Sequence, residues 1–143
     1  MILPCRRGDF VDCLFPFAER PARPGPMRHI VYVRAMVRLA SGALRAHVML
    51  TTTSPSMVAR IPEGLAQQVT EASSRRMGMR NSFVVDVHRL ALLPLIEAWF
   101  PGIGSDRFVI GRADDRLQAA ITRRYDDMLG RFPNPAENLG PKA

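Results

Sequence analysis

Twelve prolines are spread through 143 residues. A proline inside a helix removes a backbone N–H and clashes with the preceding turn, so few stretches can carry a long helix. One stretch is longest without a helix breaker of either kind. Residues 112–129 contain neither proline nor glycine. Within them Leu117, Ile121, Tyr125 and Met128 recur at spacings of three and four, which lays one apolar stripe along a helix. Asp114 is placed to cap the helix start, and Gly130 to stop it. Elsewhere prolines and glycines cut the chain into short apolar runs, the pattern of strands joined by turns.

The first run, residues 6–17, alternates as a strand does. Val11, Cys13 and Phe15 fall on one face, and Phe10, Asp12 and Leu14 on the other. Pro16 ends regular pairing. Residues 18–29 hold Pro21, Pro24 and Pro26 among arginines and show no periodicity, so they read as a loop long enough to be functional. Residues 30–39 form a β-branched and aromatic strand, Ser41-Gly42 a turn, and residues 43–54 the returning strand of a hairpin. That strand ends in four hydroxyls, Thr51 to Ser54, before Pro55. A short helix is expected after Pro62, and a loop at Arg75, Arg76 and Gly78. A strand is expected over 82–87, with a second short one before Pro94. Trp99 and Phe100 are expected in the core or in a dimer contact. The pattern implies a mainly β fold, a small barrel or curled sheet with a C-terminal α-helix (α+β). One domain over 1–132 and a flexible tail over 133–143 are expected.

Composition narrows the partners. A hydrophobic fraction of 47% with 23% charged residues suits a packed core rather than a disordered chain. Lys and Arg number 20 against 13 acids, a net charge of +7, and Lys142 is the one lysine. Arginine's planar fork fits pairs of phosphate oxygens, so this bias favours phosphate or nucleic acid. No apolar run approaches the roughly 18 residues that span a bilayer, and no signal-peptide pattern opens the chain, so no membrane partner and a cytoplasmic location are expected. Cys5 and Cys13 lack metal-type spacing and read as reduced thiols. His29, His47 and His88 lack zinc spacing, and Ser82 lacks the glycines of a hydrolase nucleophile. Asp9 and Asp12 read as turn and strand-edge groups rather than an acid pair.

Several segments, in order, resemble PemK/MazF toxins of type II toxin–antitoxin systems. RRGDFVDCLFPF resembles the opening strand with its RGD-like start. PARPGPMRHIVYV resembles the following loop and second strand, and HVMLTTTS the third strand with its terminal hydroxyl pair. GMRNSFVVD and IGRADDRLQAAITRRYDDML resemble the later strand and the closing helix. The likeness covers residues 6–130. It implies an SH3-like barrel, a homodimer, and an endoribonuclease that cuts single-stranded RNA with no metal or other cofactor. It also implies an acidic antitoxin-type protein partner.

The family's chemistry pairs an Arg at the start of the second strand with a Thr or Ser at the end of the third. Carried onto this chain, the hydroxyl is Thr53, with Ser54 beside it. The arginine is Arg28, on the condition of one residue of loop change. Counted without a gap, His29 takes its place, and a histidine can act as acid or base near neutral pH. Where the family has Arg-Pro, this chain has Arg28-His29. That departure supports an alternative: a toxin-like barrel with weakened catalysis that binds RNA or an acidic protein partner. Arg20, Arg23, Arg75 and Arg76 are the candidate RNA-binding rim.

Overall fold

The structure, a computed structural model, describes residues 2–132 and 139–142. Its strands are β1 (Asp9–Cys13), β2 (His29–Arg38), β3 (Leu44–Thr52), β4 (Ala66–Val69), β5 (Phe83–Pro94) and β6 (Val109–Arg112). Its helices are α1 (Pro55–Val58), α2 (Glu71–Arg76) and α3 (Asp115–Arg131). The strands form one six-stranded sheet in the order β4-β5-β3-β2-β1-β6. Every ladder is antiparallel. The fold is therefore mostly sheet with a C-terminal helix. The sheet is not closed: among the described residues no ladder joins β4 to β6. The turn after α2 and the helix α3 occupy that side instead, with Met77, Met79, Ile110 and Leu117 in one apolar cluster.

Strand periodicity sorts the side chains into two cores. Val11, Cys13, Phe15, Val31, Val33, Ala46, Val48 and Leu50 pack on one face, beneath Trp99, Phe100 and Phe108. Phe10, Tyr32, Met49, Val85 and Val87 pack on the other, beneath Ile121 and Met128 of α3. Trp99 and Phe100 thus belong to the chain's own core. The alternation expected for β1 and the stripe expected for α3 both appear. Asp114 caps α3 by accepting from Leu117 N–H at 2.8 Å. Cys5 and Cys13 are free and buried, and burial pushes the Cys5 thiol up to about 12 and Cys13 higher still.

Other expectations change. After Pro62 the chain forms a strand before a helix: β4 pairs with Phe83–Asp86 of β5 and buries Val69. Helix begins only after Thr70, whose hydroxyl accepts from Ser73 N–H at 3.2 Å. Arg75 and Arg76 are then the last turn of α2 rather than a loop. The two strands expected before Pro94 are one, β5, whose pairing with β3 slips between Asp86 and Leu90. Helix α3 continues past Gly130 to Arg131, because the backbone leaves helical angles only at Phe132, at φ −129° and ψ 76°. Residues 133–138 of the expected tail lie outside the described residues. Leu139 lies parallel to Ala91 of β5, and its carbonyl accepts from Leu92 N–H at 2.7 Å. Arg45 donates to the carbonyls of Pro141 and Lys142. No helix among the described residues is long and apolar enough to cross a membrane.

Candidate nucleic-acid cleft

The β2–β3 hairpin decides the site. Its ladder pairs Val31 with Leu50. The next step sets Ile30 beside Thr51, where the Thr51 hydroxyl donates to the Ile30 carbonyl at 2.7 Å. Arg28 lies one residue before β2 and Thr53 one residue after β3, so both stand at this open end of the hairpin, and the same register continued would set them across from each other. Alternation places both on the face that holds Ile30 and Tyr32, rather than the face of Val31. The two residues lie 25 positions apart in sequence, and the hairpin brings their ends together.

A groove of about 610 Å³ opens at this end. Arg28, His29, Thr53 and Ser54 all line it. Ile30, Met79, Phe83 and Ile110 supply apolar surface, and Arg80 and Asn81 complete the lining. No Asp or Glu is among its lining residues. Arg28 is held by a loop that is itself held: Gly25 N–H donates to the Leu14 carbonyl at 3.0 Å. A Cβ at Gly25 would come within 2.2 Å of the Phe15 carbonyl oxygen, so only glycine permits this approach. The Arg28 guanidinium stands 4.0 Å from the Asp12 carboxylate, both partly exposed. Such a pair orients a side chain and neutralises it little. Asp12 pairs with Ile30 of β2 but has no partner on β6, whose ladder with β1 ends at Val11, so it lies on a one-sided stretch of the strand. Asp9 is buried, accepts from Arg6 N–H at 2.8 Å and meets Arg112 at 3.0 Å, which closes the turn before β1.

The hydroxyl run separates on its bonds. Thr51 spends its proton on Ile30. Thr52 accepts from Ser54 N–H at 3.1 Å. Ser54 caps α1, accepting from Met57 N–H at 3.4 Å, and shares a bond with Ser56 at 3.0 Å. Among the described residues Thr53 is the member of the run with no hydrogen bond from its side chain, and it is exposed. It is therefore free to meet a ligand, while Ser54 is committed to the helix cap.

The four rim arginines do not come to this groove. Arg20 and Arg23 flank a separate hollow on the β1–β2 loop. Arg75 pairs with Glu71 at 2.7 Å, and Arg76 donates to Ser73 at 3.1 Å, both on the exposed side of α2. Arg80 and Asn81 were not singled out by sequence reasoning. The one available signal was their place just before a strand, in a turn that glycine begins. No protein-family model matches the chain, and no curated protein sequence is significantly similar to it.

Proposed function

We propose that this chain is an endoribonuclease of the PemK/MazF toxin kind, cutting single-stranded RNA at the Arg28–Thr53 groove without a metal. On this reading the sheet is an SH3-like barrel left open between β4 and β6. The observation that carries the proposal is convergence: Arg28, His29, Thr53 and Ser54, chosen from two distant segments, line one groove that has no acid among its lining residues.

The chemistry follows from the groups. The RNA 2′-hydroxyl attacks the adjacent phosphorus while the bond from phosphorus to the 5′ oxygen breaks. Negative charge grows on the phosphoryl oxygens, and a preorganised Arg28 guanidinium stabilises it. The Thr53 hydroxyl donates to one of those oxygens. Water takes the proton leaving the 2′-hydroxyl and water supplies one to the departing 5′ oxygen, since strand alternation sets His29 on the face of Val31 rather than beside Arg28. The products are a cyclic phosphate and a 5′-hydroxyl. Arg20, Arg23, Arg75 and Arg76 add long-range attraction for RNA rather than contacts in the groove. A homodimer in the cytoplasm, held in check by an acidic antitoxin-type protein, completes the proposal.

One observation favours a second reading, a binding module without cleavage. His29 stands where the family has proline. The test is cleavage of a single-stranded RNA in EDTA, followed by gel and by detection of the cyclic phosphate. Cutting in EDTA is expected. Cutting that requires added divalent ion overturns the metal-free mechanism, and binding without cutting selects the second reading.

A further inference from the structure

The C-terminal half of β5 has an edge that no strand of the sheet covers. β3 pairs with β5 from Val84 to Pro94 on one side, whereas β4 reaches only Phe83–Asp86 on the other. An open edge leaves backbone groups unpaired. Residues 139–142 fill it. Leu139 N–H donates to the Leu90 carbonyl at 3.1 Å, and the Leu139 carbonyl accepts from Leu92 N–H at 2.7 Å. The Leu139 side chain packs against the core that holds Val31, Val48 and Leu93. Gly140 follows at φ 124°, and a Cβ there would stand 2.2 Å from the Leu92 carbonyl oxygen, so glycine alone fits. Arg45 of β3, only 8% exposed, donates to the Pro141 and Lys142 carbonyls. Among the described residues it has no acidic partner. A buried guanidinium needs its protons satisfied, and these carbonyls satisfy them.

The same segment leaves the sheet at one point. Gly140 N–H donates to the Pro21 carbonyl at 2.7 Å. Pro21 belongs to the β1–β2 loop, whose residues 17–28 are exposed apart from Gly25. The loop closes turns of its own, Arg20 N–H on Phe17 and Arg23 N–H on Arg20. Among the described residues two backbone bonds tie it to the rest of the fold, Gly25 to Leu14 and Pro21 to Gly140.

We propose that the β5 edge, Arg45 and Pro21 form a dock for an extended Leu-Gly-Pro segment, filled by the chain's own residues 139–142, and that the docked segment holds the β1–β2 loop and so positions Arg28. The effect on Arg28 rests on the nuclease reading, and the dock does not. Edge backbone groups supply the attraction, as in strand addition. The leucine slot and the glycine that passes the Leu92 carbonyl supply the selectivity. A segment held by so few bonds opens without unfolding the sheet. Once it opens, Arg45 is uncovered and the loop keeps its Gly25 bond alone. A guanidinium on a loose loop is no longer preorganised for the charge it has to stabilise. Gly140 is therefore a positioning residue, distant in sequence from the groove.

The test is amide hydrogen exchange on the full chain. In wild type the Leu92 and Gly25 amides should both be protected. Gly140→Ala should speed exchange at both by about tenfold, the scale of one lost hydrogen bond, and leave the β2–β3 ladder unchanged. Arg45→Met, which keeps an apolar stem and loses the donors, should do the same. The peptide NLGPKA, residues 138–143, added to Gly140→Ala should restore both amides, and NLAPKA should not. A Leu92 amide as fast in wild type as in both variants overturns the dock, and so does equal rescue by the two peptides. Leu92 loosened with Gly25 unchanged overturns the hold on the loop. Gly140→Ala should also cut RNA about tenfold more slowly, because small misplacements cost rate steeply, and NLGPKA should restore the rate. If wild type does not cut, the nuclease reading falls and exchange still decides the dock. If Gly140→Ala has a loosened loop yet cuts at the wild-type rate, the positioning of Arg28 falls and the nuclease stands.

Discussion

Two hollows flank α1, and arginine lines both. The front groove, about 610 Å³, begins at the α1 cap Ser54 and is walled by Arg28, His29 and Arg80 with no acidic lining residue. The rear hollow, about 250 Å³, is walled by Met57, Arg60, His88 and Arg89, and it encloses Asp86. Asp86 is buried and accepts from His88 N–H at 2.9 Å. The difference is where the carboxylate sits: Asp86 is part of the rear wall, whereas Asp12 stands outside the front lining, partly exposed and 4.0 Å from Arg28. Cations that surround an acid in their own walls spend their field on it, whereas cations without one leave theirs for a ligand. The pair on α2 follows the rear pattern, with Glu71 against Arg75. A net charge of +7 therefore says little about where an anion binds, and the placement of a few acids says more.

The sharpest way to break this contrast is to empty each hollow of its charge. Arg28→Ala and Thr53→Ala should each lower cleavage by about 10² to 10³, the scale of one lost transition-state donor. Arg60→Ala and Arg89→Ala should change it by less than about threefold, since exposed charges at a distance are screened. Single-turnover rates on one RNA decide the matter. Equal losses from front and rear variants would erase the distinction. His29→Ala belongs in the same series: loss there, with Arg28→Ala silent, would move the centre by one residue.

A second test moves the Arg80–Asn81 turn that lines the front groove without substituting a charged residue. Gly111→Ala drives a methyl into the Met77 carbonyl. The expected cost is about 1–3 kcal/mol of stability, as for overpacking elsewhere, with a loss of RNA affinity as the Arg80–Asn81 turn shifts. Gly130→Ala is the control, because a Cβ there meets nothing within 4 Å and the residue lies inside α3. It should stabilise by about 0.5–1 kcal/mol and leave RNA binding alone. Urea midpoints for the two variants should move in opposite directions. A silent Gly111→Ala would mean that the turn is not held by β6.

The smallest effect concerns the rear acid. Burial raises the Asp86 carboxyl above its ordinary 3.8, against the opposing pull of the His88 N–H, His88 and Arg89. Between the unfolded and folded values the native chain holds the extra proton. Stability from this group is therefore greatest below 3.8 and falls as pH rises through the window above it. Asp86→Asn removes the titration. The stability of the variant minus that of wild type should grow as pH climbs from below 3.8 and then level off. Asp9, also raised by burial, remains in both proteins and cancels. A difference that stays flat with pH would show that Asp86 ionises as freely in the fold as outside it.

The parts legible beforehand share one property, a local period. The faces of β1 follow from alternation over five residues, and the α3 stripe from spacings of three and four. The β2–β3 hairpin was legible for the same reason, and with it the nearness of Arg28 to Thr53. What escaped was whatever a distant strand had to supply. Ala66–Val69 carries little strand propensity of its own, and it is a strand because β5 offers it an edge. The segment Val109–Arg112 is too short to show a period, and it is a strand because β1 pairs with it.

The sequence by itself determined the order of strands before one long helix, the basic charge, and the two segments whose ends meet at the groove. Period and composition are local properties, carried by neighbours in the chain. Only the tertiary structure decided which arginine faces what. Arg75, Arg76 and Arg80 lie within six residues and look alike as letters, yet α2 turns the first two outward and the turn into β5 sets the third on the groove. The resemblance already named Thr53 among four adjacent hydroxyls, but only the tertiary structure showed why it is available, by assigning the other three to a carbonyl, a backbone N–H and a helix cap. Those partners come from ladders and caps elsewhere in the fold, and no local pattern specifies them.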